Sequence, residues 1–349
     1  MKTKNAKKKR KISHKTFPKI NISIKCIFCQ SLNIIKYGKR PSTKNPGKEK
    51  QLYLCKDCHR KFTKDKLSHP INIIKAISLY NLGHSLRRTV QLLKNKLSIS
   101  KSTVHRWLNK LKNLASYTTT FRKHVKHKNK FQPKKIITAK NFNHQQIYKF
   151  RLHNLKLTAL AQQHTGLLKY LRQIARNCLD YYFPDSLRCS RFSFNLNINP
   201  KEFHSNIPRQ TQFALHKAKN NHQRHEIIQN FLLNNDTSTI AVEVPVYLFY
   251  EELSKEIKQQ LETDYLLPEF DEPLTGHIDI LQVKNNKIYI LDYKPKAAKE
   301  NKQKVASQLI LYANALYFRT KIPLKDIYCA YFDEFDYYIF KPAYYFTLN

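Results

Sequence analysis

The chain has 349 residues, enough for two or three domains, and carries 64 Lys and Arg against 24 Asp and Glu, a formal net charge of +40. A hydrophobic fraction of 41% excludes wholesale disorder. The five glycines (Gly38, Gly47, Gly83, Gly166, Gly276) cannot write a G-x-G-x-x-G dinucleotide fingerprint or a Walker-A loop, so both are excluded.

The charge is unevenly placed. Residues 1–179 hold 44 Lys and Arg and three acids, Glu49, Asp57 and Asp65, whereas residues 180–349 hold 20 against 21. A polycation joined to a near-neutral half predicts a polyanionic partner, and nucleic acid is the default. No run of about 18 apolar residues exists, and the lysine-rich start lacks the apolar core of a signal peptide. The expectation is a soluble, cytoplasmic, nucleoid-associated protein with no membrane partner. Its oligomeric state is left open, a dimer included.

In chain order, residues 1–20 are a basic tail suited to phosphate contacts. Residues 21–66 form a compact segment with two C-x-x-C pairs, Cys26/Cys29 and Cys55/Cys58, separated by 25 residues. Four thiolates from two tight knuckles make a closed tetrahedral Zn²⁺ site. A segment of about 45 residues cannot build an adequate core alone, so the metal would be structural. His59 is an alternative ligand to Cys58.

Residues 67–113 predict three short helices. The first runs from Ile71 to Leu82 and stops at Gly83; the second runs from Leu86 to Leu97; the third starts after Ser100 as N-cap. Val104, Trp107, Leu108 and Leu111 face inward at helical spacing. The opposite face presents Lys101, Ser102, His105, Arg106, Asn109 and Lys110, which supply phosphate contacts and base-edge donors in a major groove. The stretch from Ser100 to Leu108 resembles the recognition helix of transposase and resolvase-type DNA binders. The segment around Tyr37-Gly-Lys-Arg and Gln51 to Thr63 resembles the zinc ribbon at the front of insertion-sequence transposases. Duplex DNA is the partner these resemblances imply.

Residues 114–146 read as a basic linker and 147–209 as a helical basic connector, with a helix over 147–183 whose apolar face holds Leu167, Leu168, Leu171 and Ile174. Residues 210–349 read as an α/β domain. It has a helix over 210–233, strands near 239–249, 276–283, 288–294 and 327–340, and a helix near 302–318. The fold class expected is multidomain α+β: ribbon, helix-turn-helix, and a core with a central mixed sheet flanked by helices.

The most informative stretch is Thr275 to Pro295, where two apolar runs flank Asn285-Asn286. A two-residue turn there pairs Lys284 with Lys287, sets Asp279 opposite Asp292 and His277 opposite Lys294, and points all four side chains to one face. Two carboxylates so close in an apolar sheet repel each other, and a divalent cation resolves that conflict. Gly-x-x-Asp followed by Asp-x-Lys resembles the PD-(D/E)XK nuclease superfamily. The resemblance implies a catalytic Mg²⁺ or Mn²⁺ held by Asp279, Asp292 and the Tyr293 carbonyl, with Lys294 activating water and stabilising phosphate charge. Gln308 and Tyr312 resemble the Q-x-x-x-Y motif of the RecB-like branch, implying that they position DNA. That branch also implies a helical His or acid, best matched by His225 and Glu226, and a strand acid, best matched by Glu243. Glu243 and His277 are expected to support the ligands from behind. The one cysteine downstream of residue 189, Cys329, gives no four-cysteine cluster.

The function expected is a metal-dependent deoxyribonuclease, endo or exo, associated with a mobile element, DNA repair or defence. The alternative is a non-catalytic DNA-binding regulator or transposase-derived protein. A transposase of RNase H-like fold needs three widely spaced acids, which residues 1–179 do not supply.

Overall fold

The computed structural model describes residues 31–41, 47, 49–57, 59, 61–63, 70–94, 99–111, 136–196, 198–218 and 220–342. The chain divides into two compact units, Met1–Ser68 and His69–Asn349. The first holds a three-stranded antiparallel sheet of β1 (Ile34–Pro41), β2 (Glu49–Cys55) and β3 (Lys61–Thr63), in that order. Cys55 is buried at the end of β2. The turn after it is tied back by Lys56 N–H donating to Asn33 O at 2.8 Å and by Asn33 Nδ2 donating to Asp57 at 2.8 Å. Cys26, Cys29 and Cys58, the other expected zinc ligands, lie outside the described residues.

The second unit opens with α1 (Pro70–Asn81), α2 (Leu86–Lys94) and α3 (Lys101–Lys110). Gly83, at φ +94°, ends the first helix by a left-handed turn that lets His84 N–H reach Leu79 O. Ser100 caps α3, its Oγ accepting from Thr103 N–H at 3.2 Å. Ile73, Ala76, Ile77, Leu93, Val104, Trp107 and Leu108 form the core of this trio. The trio is not a free-standing domain. Ile74 packs into a cluster with Phe231 and Leu232, and Asn81 Nδ2 donates to Asn235 Oδ1 at 2.9 Å in a buried contact.

The next segment corrects the expected organisation. The end of the supposed linker and the start of the supposed helical connector are strand: β4 (Ile137–Ala139), β5 (Phe142–His144), β6 (Gln146–Tyr148) and β7 (Arg151–His153) follow one another. Residues 112–135 lie outside the described set. In place of one helix over 147–183 stand two, α4 (Asn154–Leu160) and α5 (Thr165–Arg176). Three-residue strands carry no readable period, and their order comes from pairing: β7 joins β9 and β4 joins β7. The expected apolar face of α5 is real, with Leu167, Leu171 and Ile174 buried.

Short 3₁₀ turns at Asp180–Tyr182 and Cys189–Arg191 lead to β8 (Lys201–Glu202). The single helix expected over 210–233 is two, α6 (Ile207–Leu215) and α7 (Arg224–Asn235), because Asn220 caps an intervening turn by accepting from Gln223 N–H. The chain continues through β9 (Thr239–Leu248), the unanticipated α8 (Lys255–Tyr265), β10 (Leu274–Lys284), β11 (Lys287–Tyr293), α9 (Lys302–Thr320), β12 (Ile327–Phe332) and β13 (Tyr337–Phe340).

Eight strands form one mixed sheet in the order β4-β7-β9-β10-β11-β12-β13-β8. Its single parallel pair, β11 with β12, is bridged by α9, as a parallel crossover requires. Adjacent residues send their side chains to opposite layers. Leu281 and Ile290 join α5 and α9 in one core, while Ile280 and Leu291 join α7 in another. Each such buried aliphatic side chain stabilises the sheet by about 1.5–3 kcal/mol. No helix among the described residues is long and apolar enough to cross a membrane.

Candidate active site

The hairpin turn sets the site. Asn285 and Asn286 both adopt positive φ, 48° and 58°, the pairing of a type I′ turn. The ladder runs from Lys284/Lys287 to Ile280/Leu291 in the expected register. It ends one position short of Asp279 and Asp292. There the Tyr293 N–H donates to Asp279 Oδ2 at 3.0 Å.

Two helices complete the cluster. From α9, Gln308 and Tyr312 stand one turn apart, and Gln308 Nε2 donates to the Tyr312 hydroxyl at 3.0 Å. Lys294 Nζ lies 3.4 Å from Gln308 Oε1 and 2.7 Å from Asp292 Oδ2. From α7, His225 Nδ1 lies 3.3 Å from Asp279 Oδ2, and Gln229 Nε2 donates to Glu243 Oε1 at 2.6 Å. Glu243, on β9, sits opposite Asp279 of β10, between the pairs Ile278/Val244 and Ile280/Val242. Its φ of +50° is strained for a non-glycine strand residue, and strain of this kind marks functional positions. Gly276 is required by the same packing: a Cβ there would stand 2.1 Å from Tyr312 Cε1.

The electrostatics are those of crowded acids, Asp292 buried and Asp279 and Glu243 half-buried. Burial, and then the charge of Asp279, raises the pKa of both Asp292 and Glu243. Burial also opposes ionisation of Asp279, but the His225 contact, Lys294 and the Tyr293 N–H outweigh it and hold its carboxyl low. Burial likewise opposes the charge on Lys294 and His225. Asp292 and Asp279 respectively overcome it, so both bases hold their protons more tightly than usual. Asp292 Oδ2 is buried and has Lys294 Nζ 2.7 Å away as its counter-ion.

Asp279, Asp292, Tyr293, Lys294, Gln308, Tyr312 and His225 are therefore joined through shared contacts and charge, and Glu243, bonded to Gln229, lies within reach of the Asp279 charge. Two expected residues go elsewhere. Glu226, one position past His225 and so about 100° around the helix, pairs with Lys149 at 2.9 Å. His277 does not share the Asp292–Lys294 contacts; its Nε2 lies 2.9 Å from His144 Nδ1 and its ring stacks on Tyr148.

Gln229 and Arg224 were missed. Arg224 Nε donates to the Tyr293 hydroxyl at 2.8 Å, and its guanidinium pairs with Glu334. The four-residue spacing of His225 and Gln229 was the available signal. On α3, Lys101, Ser102, His105, Arg106, Asn109 and Lys110 are all exposed, while Val104, Trp107 and Leu108 are buried.

Comparison of the chain with protein-family models, with curated proteins and with solved structures finds no match.

Proposed function

We propose that this chain is a divalent-metal-dependent nuclease of the PD-(D/E)XK type acting on DNA. The observation that carries the reading is the grouping of buried Asp292 with half-buried Asp279 and Glu243, three acids that raise or oppose one another's charge, with Lys294 paired to Asp292. As a structural core such a grouping is unfavourable, because crowded like charges repel and one lysine leaves the three acids in excess. As a cation site it is coherent, since hard divalent ions select carboxylate and carbonyl oxygens. Asp279, Asp292 and the Tyr293 carbonyl would hold Mg²⁺ or Mn²⁺, with Glu243 and His225 beside them. When bound, the ion polarises the scissile phosphate and makes water acidic enough to attack.

The protein's own groups do the rest. Asp292 keeps Lys294 protonated, so its ammonium neutralises charge that grows on the phosphate. Gln308 accepts from that ammonium, and its own bond to the Tyr312 hydroxyl fixes its direction. The exposed cations of α3 and the basic N-terminal half bind the phosphate backbone. The same reading assigns a structural Zn²⁺ to Cys26, Cys29, Cys55 and Cys58; metal analysis should show it lost on Cys26→Ser.

The test is cleavage of linear, circular, single-stranded and branched DNA with Mg²⁺ or Mn²⁺. Asp292→Asn and Lys294→Ala should abolish product while binding in a gel-shift assay is spared. Cleavage at the wild-type rate in either variant would overturn the assignment.

A further inference from the structure

A second group of reactive side chains lies outside the carboxylate cluster. It is assembled from three short pieces of chain. His144 ends β5, Cys178 follows the C-cap of α5, and Asp180 opens the 3₁₀ turn Asp180–Tyr182. One ligand atom from each lies within 4.8 Å of the other two, the one such trio among the described residues.

The imidazole is held as a ligating histidine is held. Its plane is fixed by stacking on Phe183, at 3.8 Å between centroids and 10° between planes, and on Phe142 at 5.2 Å and 5°. Its Nε2 lies 2.8 Å from Asp180 Oδ1, and its Nδ1 lies 2.9 Å from His277 Nε2. One nitrogen facing the other ligands and the second engaged by a fixed outer partner is the arrangement that orients metal-bound histidines.

The donor set has a definite preference. Nitrogen, sulfur and carboxylate oxygen together suit Zn²⁺ and its neighbours rather than Mg²⁺ or Ca²⁺. Three protein ligands leave a tetrahedral ion one position free. The Asp180 side chain is exposed, which leaves that position within reach of water or a small ligand.

We propose that His144, Cys178 and Asp180 form a transition-metal site of the zinc class with one coordination position open to water. Binding exchanges the Cys178 thiol proton for the ion, the proton leaving to solvent. The site is independent of the nuclease reading.

The full chain would be loaded with Co²⁺ in excess Mg²⁺, which fills oxygen-only sites, and freed of unbound metal by gel filtration. Cobalt content and visible absorption would then be compared among the wild type, Cys178→Ser, Asp180→Asn and Cys26→Ser. Loss of one cobalt per chain and of part of the sulfur-to-cobalt band in Cys178→Ser, additive with Cys26→Ser, supports the site. Asp180→Asn, at an exposed side chain, should bind more weakly with its circular dichroism unchanged. Wild-type cobalt content and spectrum in folded Cys178→Ser and Asp180→Asn would overturn it.

Discussion

Gly276→Ala tests the packing that seats the Gln308–Tyr312 pair over the hairpin. The new methyl carbon would lie 2.1 Å from Tyr312 Cε1, 2.7 Å from Cζ and 2.8 Å from the hydroxyl oxygen. Carbon atoms pack at about 3.5–4.0 Å, so the ring must retreat by more than about 1 Å. It has little space to do so, being 3% exposed on a helix with thirteen buried residues. Overpacking of this kind costs about 1–3 kcal/mol. Tyr312→Ala alone should cost about 3–5 kcal/mol, as large aromatic truncations do. With the ring gone, the added methyl group meets no obstacle. The double variant should then be less destabilised than the sum of the singles by about 1–3 kcal/mol. Urea denaturation followed by circular dichroism measures each variant. Additivity within about 0.5 kcal/mol would refute the close contact between β10 and α9, and with it the placing of Lys294 by Gln308.

Asp292→Asn should unfold at higher urea than wild type at pH 8 in chelator. The raised pKa means the folded wild type keeps a proton that the unfolded chain has already released, so its stability falls as pH rises through that window, and asparagine removes the fall. Lower stability in the variant would count against buried repulsion. Lys156 is fully buried, donates to Leu233 O at 2.7 Å and Thr239 O at 3.0 Å, and is brought down to a pKa of about 7, chiefly by burial. The unfolded lysine keeps its proton to about pH 10, so stability should rise between those values; Lys156→Met should flatten that rise in a pH series of thermal melts. Replacing Lys101, Arg106 and Lys110 together by alanine should lower the salt slope of DNA binding by about three; an unchanged slope would remove α3 from the interface.

Much of this was legible because local rules suffice. Asn285-Asn286 between apolar runs specified the turn, the register and the approach of Asp279 to Asp292, since a two-residue turn leaves a hairpin no other pairing. Ser100 and Gly83 marked helix ends, and the spacing of Val104, Trp107 and Leu108 separated the buried and exposed faces of α3. Glu226 and His225 are adjacent, and adjacent positions look equivalent in a string of letters. On a helix they diverge by about 100°, and only His225 reaches Asp279.

By itself, then, the sequence determined the charge asymmetry, the hairpin and the faces of the amphipathic helices, all set by neighbours within a few residues. Tertiary structure decided the rest. It recruited residues 137–153 into strands and docked the three-helix segment onto α7 through Ile74 and Asn81. It also brought Glu243 beside Asp279, and His144 and Asp180 into contact across 36 residues of chain. Those contacts depend on which surfaces bury one another, and no local period or turn signal encodes that.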